Sequence, residues 1–135
     1  MSIRQKRLLF FISLIIFTIV ILSCTQEKNM VSEDTIYGSW VRSITDAQGL
    51  QFNAELKIKN DNSFDFILLE KVAGHTNSSA EFTLSGDIFT VINDKDCGVD
   101  GVYEFVVTEK ELTLIAVADE CAPRKLALQG LWSKK

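Results

Sequence analysis

Leu50-Gln51-Phe52-Asn53-Ala54-Glu55-Leu56-Lys57-Ile58 alternates apolar and polar side chains without a break. In an extended chain successive side chains point to opposite faces, so this stretch reads as a strand with one face on a core and the other in water. Asn60-Asp61-Asn62 follows, residues that tolerate left-handed backbone and close turns. Phe64, Phe66 and Leu68 then repeat the apolar phase between Ser63 and Leu69, which makes a hairpin. Working outward, the same alternation predicts strands over Ser79 to Ser85 (Ala80, Phe82 and Leu84 inward), Ile88 to Ile92, Val102 to Thr108 and Glu111 to Ala118. Turns fall at Ser85-Gly86-Asp87 and Glu109-Lys110; Ile36 to Ile44 opens the series and Lys125 to Trp132 closes it. No window carries a helical repeat. The only proline, Pro123, is assigned to a loop, where its missing N–H removes no ladder bond. The expected fold is all-β: an eight-stranded antiparallel up-and-down barrel, which leaves no exposed edge, with an open β-sandwich as the alternative.

Upstream of the strands the chain changes character. Arg4, Lys6 and Arg7 precede Leu8 to Leu22, a run of 15 residues broken only by Ser13 and Thr18. As a helix rising ~1.5 Å per residue it would span about 22 Å, short of the ~30 Å of bilayer hydrocarbon, so it suits an export signal better than a permanent span. Ordinary signal cleavage wants small residues at both −3 and −1; before Cys24 the −1 residue is Ser23 but the −3 residue is Ile21. Val20-Ile21-Leu22-Ser23-Cys24 resembles instead the lipobox of bacterial lipoproteins, a short aliphatic and small-residue stretch before an invariant cysteine. The resemblance implies removal of residues 1–23, covalent diacylglycerol and an N-acyl chain on Cys24, and a lipid-anchored protein of the bacterial cell envelope. Each buried CH₂ contributes ~0.8 kcal/mol, and one chain holds only marginally, so two or three are needed. Thr25, where inner-membrane retention uses aspartate, favours the outer membrane by the same resemblance, on either its periplasmic or its surface face. Residues 24–34 are polar and aperiodic, a flexible tether, and residues 35–135 form the barrel domain.

The full chain carries a formal charge of −4. All 18 acidic residues lie beyond Cys24 while three basic ones precede it, so the processed chain is more acidic still. That argues against nucleic acid and against polybasic binding to anionic lipid. Gly38-Ser39-Trp40 on the first strand matches the G-x-W signature of lipocalins, and Gly130-Leu131-Trp132 lies on the last. Here the chain resembles the lipocalin-like group of small bacterial barrels, over most of residues 36–133. The resemblance implies a barrel with its ligand at an open mouth, and a monomer is expected. In such a barrel Trp40 and Trp132 meet across the closing seam and plug the base. Lipocalins also lay a late arginine over the first tryptophan; Arg124, placed at the start of the last strand and at the opposite end, does not fill that role.

The up-and-down topology brings the loop between strands five and six to the same end as the one between strands seven and eight. Those loops hold Cys97 and Cys121. With Cys24 taken by lipid, an even pair remains in an oxidising compartment, and a disulfide is expected. The mouth loops, Thr45 to Gly49, Lys71 to Ser78, Asn93 to Gly101 and Asp119 to Arg124, supply the candidate mouth residues Asp46, His75, Asp96, Asp119 and Arg124. Arg124 either grips a ligand or pairs locally with Asp119 or Glu120. Asp94-x-Asp96 before Asp100-Gly101 has part of a calcium-loop spacing, but Gly98 stands where an oxygen ligand is wanted and no glutamate closes the loop, so no metal is expected. The lone His75 and the lack of a nucleophile motif argue against catalysis. Two functions are compatible with this reading. The one that the lipocalin-like resemblance favours is a module binding a small apolar or amphipathic ligand. The other is a protein-interaction or inhibitor module with a filled barrel and binding loops at its mouth.

Overall fold

The computed structural model describes residues 36–135. They form β1 (Gly38–Thr45), β2 (Gln51–Ile58), β3 (Ser63–Leu68), β4 (Ser78–Ser85), β5 (Ile88–Ile92), β6 (Gly101–Val107), β7 (Glu111–Ala118), α1 (Ala122–Leu128) and β8 (Gly130–Lys134). Each strand pairs antiparallel with the next, and β8 returns to β1 through Trp40↔Lys134 and Val41↔Ser133, so the barrel is closed. The open sandwich is excluded. The leader, Cys24 and the tether lie outside the described residues. Among the described residues no helix is long and apolar enough to cross a membrane.

Register keeps the apolar phase intact across the sheet. Ala54, Leu56 and Ile58 of β2 stand opposite Leu68, Phe66 and Phe64 of β3, so each inward cross-strand pair is apolar on both sides. Asn62 takes the left-handed backbone (φ 64°) that its turn requires. Inside, Phe82 stacks on Phe89 at 4.7 Å, Phe64 lies tilted at 6.5 and 5.8 Å from these two, and Phe66 meets Trp132 edge-on at 6.5 Å. Tyr103, Phe105, Leu112 and Leu114 are also buried. An eight-stranded barrel is just wide enough for side chains to fill, and these rings fill it.

One expected strand begins later than the alternation predicts. Lys125 to Trp132 is divided between the end of α1 and the start of β8, with Gln129 as the joint. Ala122, Arg124, Lys125, Leu126, Ala127 and Leu128 are strong helix formers. Pro123 sits in the first helical turn, where its missing N–H costs no intrahelical bond. Two turns are too few to display a helical period. Arg124 is therefore a helix residue and not the first residue of the last strand.

The two tryptophans also divide their work. Trp40 closes the base: its Nε1 donates to the carbonyl of the buried Ile36 at 2.8 Å. Lys134 lies 4.1 Å above the Trp40 ring and donates to the Tyr37 carbonyl at 3.0 Å, so a late lysine covers the first tryptophan. Trp132 is equally buried, but its Nε1 donates to the Leu128 carbonyl at 2.9 Å. It is tied to the helix at the mouth, not to the base.

Candidate functional site

The mouth is where the four longer links emerge, and a buried cluster holds two of them together. Arg124 on α1 makes a bidentate pair with Asp119, Nε to Oδ2 and Nη2 to Oδ1 both at 2.8 Å. Its Nη1 reaches the Val99 carbonyl at 2.8 Å and Asp94 Oδ2 at 3.1 Å. Tyr103 rises from the barrel interior to donate its hydroxyl to Asp119 Oδ2. Burial alone would push the Asp119 carboxyl up, but the hydrogen bonds from Arg124 and Tyr103 and from the Cys121 N–H hold it below the usual range. Burial, together with the neighbouring Asp119 carboxylate, pushes the Tyr103 phenol up, so it stays a proton donor. Gly101 is small of necessity here: a Cβ would come within 2.7 Å of Asp119 Oδ2 and 2.8 Å of Arg124 Nε. Alongside, Cys97 and Cys121 are joined by a disulfide, with Cα atoms 5.7 Å apart, fastening the β5–β6 loop to the start of α1.

A second pair ties the other two links. His75 Nε2 lies 3.0 Å from Asp46 Oδ2, and its ring packs against Phe52 at 4.7 Å. Asp46 also accepts from the backbone N–H groups of Gln48 and Leu50, closing its own turn. The hydrogen bond with His75 is the main reason its carboxyl lies below the usual range; burial opposes it. Of the candidate mouth residues, Asp119 and Arg124 are thus consumed in a buried ion pair, Asp46 and His75 in a bridge between loops. Asp96 stays exposed, its N–H donating to Asp94 Oδ1 at 3.0 Å.

Between these clusters opens a cleft of about 200 Å³. Phe64, Phe66 and Leu128 form its floor, and Ser78, Ser79, His75, Asp94, Asp96 and Arg124 its polar margin. The helix narrows this entrance, where the topology alone suggested an open mouth. Among the described residues no group of three or more His, Cys, Asp or Glu side chains is arranged to hold a metal.

Arg42 is the residue that pattern reading missed. On β1 it shares the inward phase of Trp40 and Ile44. It spends its charge on the C-terminus of α1, donating from Nη1 to the Gln129 carbonyl and from Nη2 to Leu126 O at 2.8 Å and Ala127 O at 3.3 Å. Its guanidinium stacks 4.7 Å from the Trp132 ring centre. Burial lowers its pKa to about 10, which leaves it charged at neutral pH. A cation there satisfies the orphan carbonyls of a helix end and opposes the helix dipole. No protein-family model, curated protein or solved structure matches the chain.

Proposed function

We propose that the protein is a membrane-anchored lipoprotein of the cell envelope that works through the mouth of a filled barrel, as a protein-interaction or inhibitor module. The observation that carries this is the interior. Phe82, Phe89, Phe105, Tyr103, Leu112 and Leu114 are at most 1% exposed, and the cleft that reaches the inward Phe64 and Phe66, about 200 Å³, is smaller than the ~300–1,000 Å³ usual for ligand pockets. Such a body holds its loops in place better than it encloses a guest. A rigid scaffold bearing loops is a common basis for recognition. The anchor rests on the likeness of Val20 to Cys24 to a lipobox.

A second reading has its own support. The aromatic floor of the cleft beneath a polar margin suits a small amphipathic molecule, as the lipocalin-like resemblance implies. A photo-crosslinker placed at exposed Thr76 on the mouth, with one at Glu109 on the base as control, separates the two in intact cells. Capture of an envelope protein from Thr76 alone supports interaction; no capture from either position refutes it. Labelling with a fatty acid should mark the wild type and not Cys24→Ser, and equal labelling of both would refute the anchor.

A further inference from the structure

The seam that closes the barrel is short and lies at the base end of β1. Pairing of β1 with β8 covers Trp40 and Val41 and stops there, although β1 runs on to Thr45. The Lys135 N–H donates to the Ser39 carbonyl at 3.0 Å, which fixes the odd-numbered residues of β1 as those whose backbone groups face β8. The Asp46 N–H donates to Leu50 O at 2.9 Å on the other side, in agreement. Ser43 and Thr45 therefore direct N–H and C=O groups into a space where β8 has already diverged. The wedge is Arg42, whose side chain occupies the room a Cβ on Gly130 would need. A shallow groove results, with Arg42 to Thr45 on one wall and Ala122, Lys125, Leu126 and Gln129 of the helical link on the other.

Backbone donors and acceptors repeating every second residue are matched by another extended chain, and exposed edges recruit added strands. The groove wall carries Lys125 and Arg42, whose hydrogen bonds to neutral helix carbonyls leave its charge uncancelled, and no carboxylate, on a chain of formal charge −4. We propose that the Ser43–Thr45 edge of β1 takes up an extended acidic segment of a partner protein as an added strand, seated between β1 and α1. This rests on the mouth being an interaction face and names the kind of partner it fits. A second copy pairing through the same edge would set cation against cation, since β1 holds Arg42 and no acidic residue.

The test uses the full-length protein in detergent and amide hydrogen exchange followed by NMR, with eight-residue peptides alternating valine and glutamate as probe and valine–lysine counterparts as control. The glutamate peptide should slow exchange at Ser43 and Thr45 at least tenfold, and the lysine peptide should not. Thr45→Pro removes an edge N–H without removing a bond to β2; it should weaken the glutamate peptide at least tenfold with an unchanged far-ultraviolet spectrum. Lys125→Gln should weaken it about threefold. No slowing by the glutamate peptide, or equal slowing by both peptides, overturns the proposal. So does protection that grows with protein concentration in the absence of peptide, which would mean self-association. If crosslinking from Thr76 still captures a partner in that case, strand addition fails while the interaction reading stands.

Discussion

Arg42 and Arg124 are the two cations on which the mouth is built, and each is spent on structure. Arg42→Met removes a charged donor to three carbonyls at the end of α1. Hydrogen bonds to charged groups are worth ~1.5–3 kcal/mol, so a loss of about 2 kcal/mol in urea unfolding is expected; a change under 0.5 kcal/mol would mean the helix end is held by other contacts. Asp119→Asn breaks a buried pair from one side and leaves Arg124 charged among groups chosen for a carboxylate. The expected cost is about 3 kcal/mol at neutral pH. Because the folded-state carboxyl lies below its ordinary value of 3.8, its stabilisation is complete above that value and is lost as pH falls through the lower one. The deficit of Asp119→Asn should therefore shrink below about pH 4, and a deficit constant from pH 7 to pH 3 would contradict the assignment. The pairing of Arg124 with Asp119 was legible as one of two local options. Arg42 was not, because alternation treats a charged residue as solvent-facing. Its phase with Trp40 and Ile44 is the signal that it points inward.

At the scale of elements, the strands were legible because period-two burial leaves a period-two sequence, as in β2 and β3. The helix was not. Its seven residues show no repeat, and its proline, read as a loop marker, is equally at home in a first helical turn. The disulfide was legible from topology, which puts two loops and two cysteines at one end, together with the oxidising compartment expected of an exported chain. It closes a loop with a sequence separation of 24, worth about 3 kcal/mol in the chain-entropy model. Replacing both cysteines by serine should lower unfolding stability by that order, and thiol titration of the unreduced, denatured wild type should find neither Cys97 nor Cys121 reactive. Two reactive thiols there would contradict the bridge. The joint between α1 and β8 is equally constrained. Gly130 has φ 136° and Arg42 against it, so Gly130→Ala should destabilise by at least ~1 kcal/mol and loosen the helix, read as faster amide exchange at Leu128 and Gln129.

Across the whole molecule, fold and function were unequally legible. Eight short alternating strands leave few architectures open, whereas whether a barrel is hollow depends on how side-chain volumes add up in three dimensions. Phe64, Phe66, Phe82, Phe89 and Phe105 could have lined a cavity or filled one; Phe82, Phe89 and Phe105 pack with Trp132 and Tyr103 in the core, while Phe64 and Phe66 form the floor of the small mouth cleft. On the proposed reading the interior supplies stiffness and the mouth supplies contact. Native mass spectrometry of the protein purified in mild detergent from the cells that make it tests this most directly. The expected spectrum shows no non-covalent adduct and, on the proposed reading, a chain that starts at Cys24 and carries covalent lipid. A lipid-sized molecule that co-purifies without a covalent bond and leaves on denaturation would contradict the filled barrel.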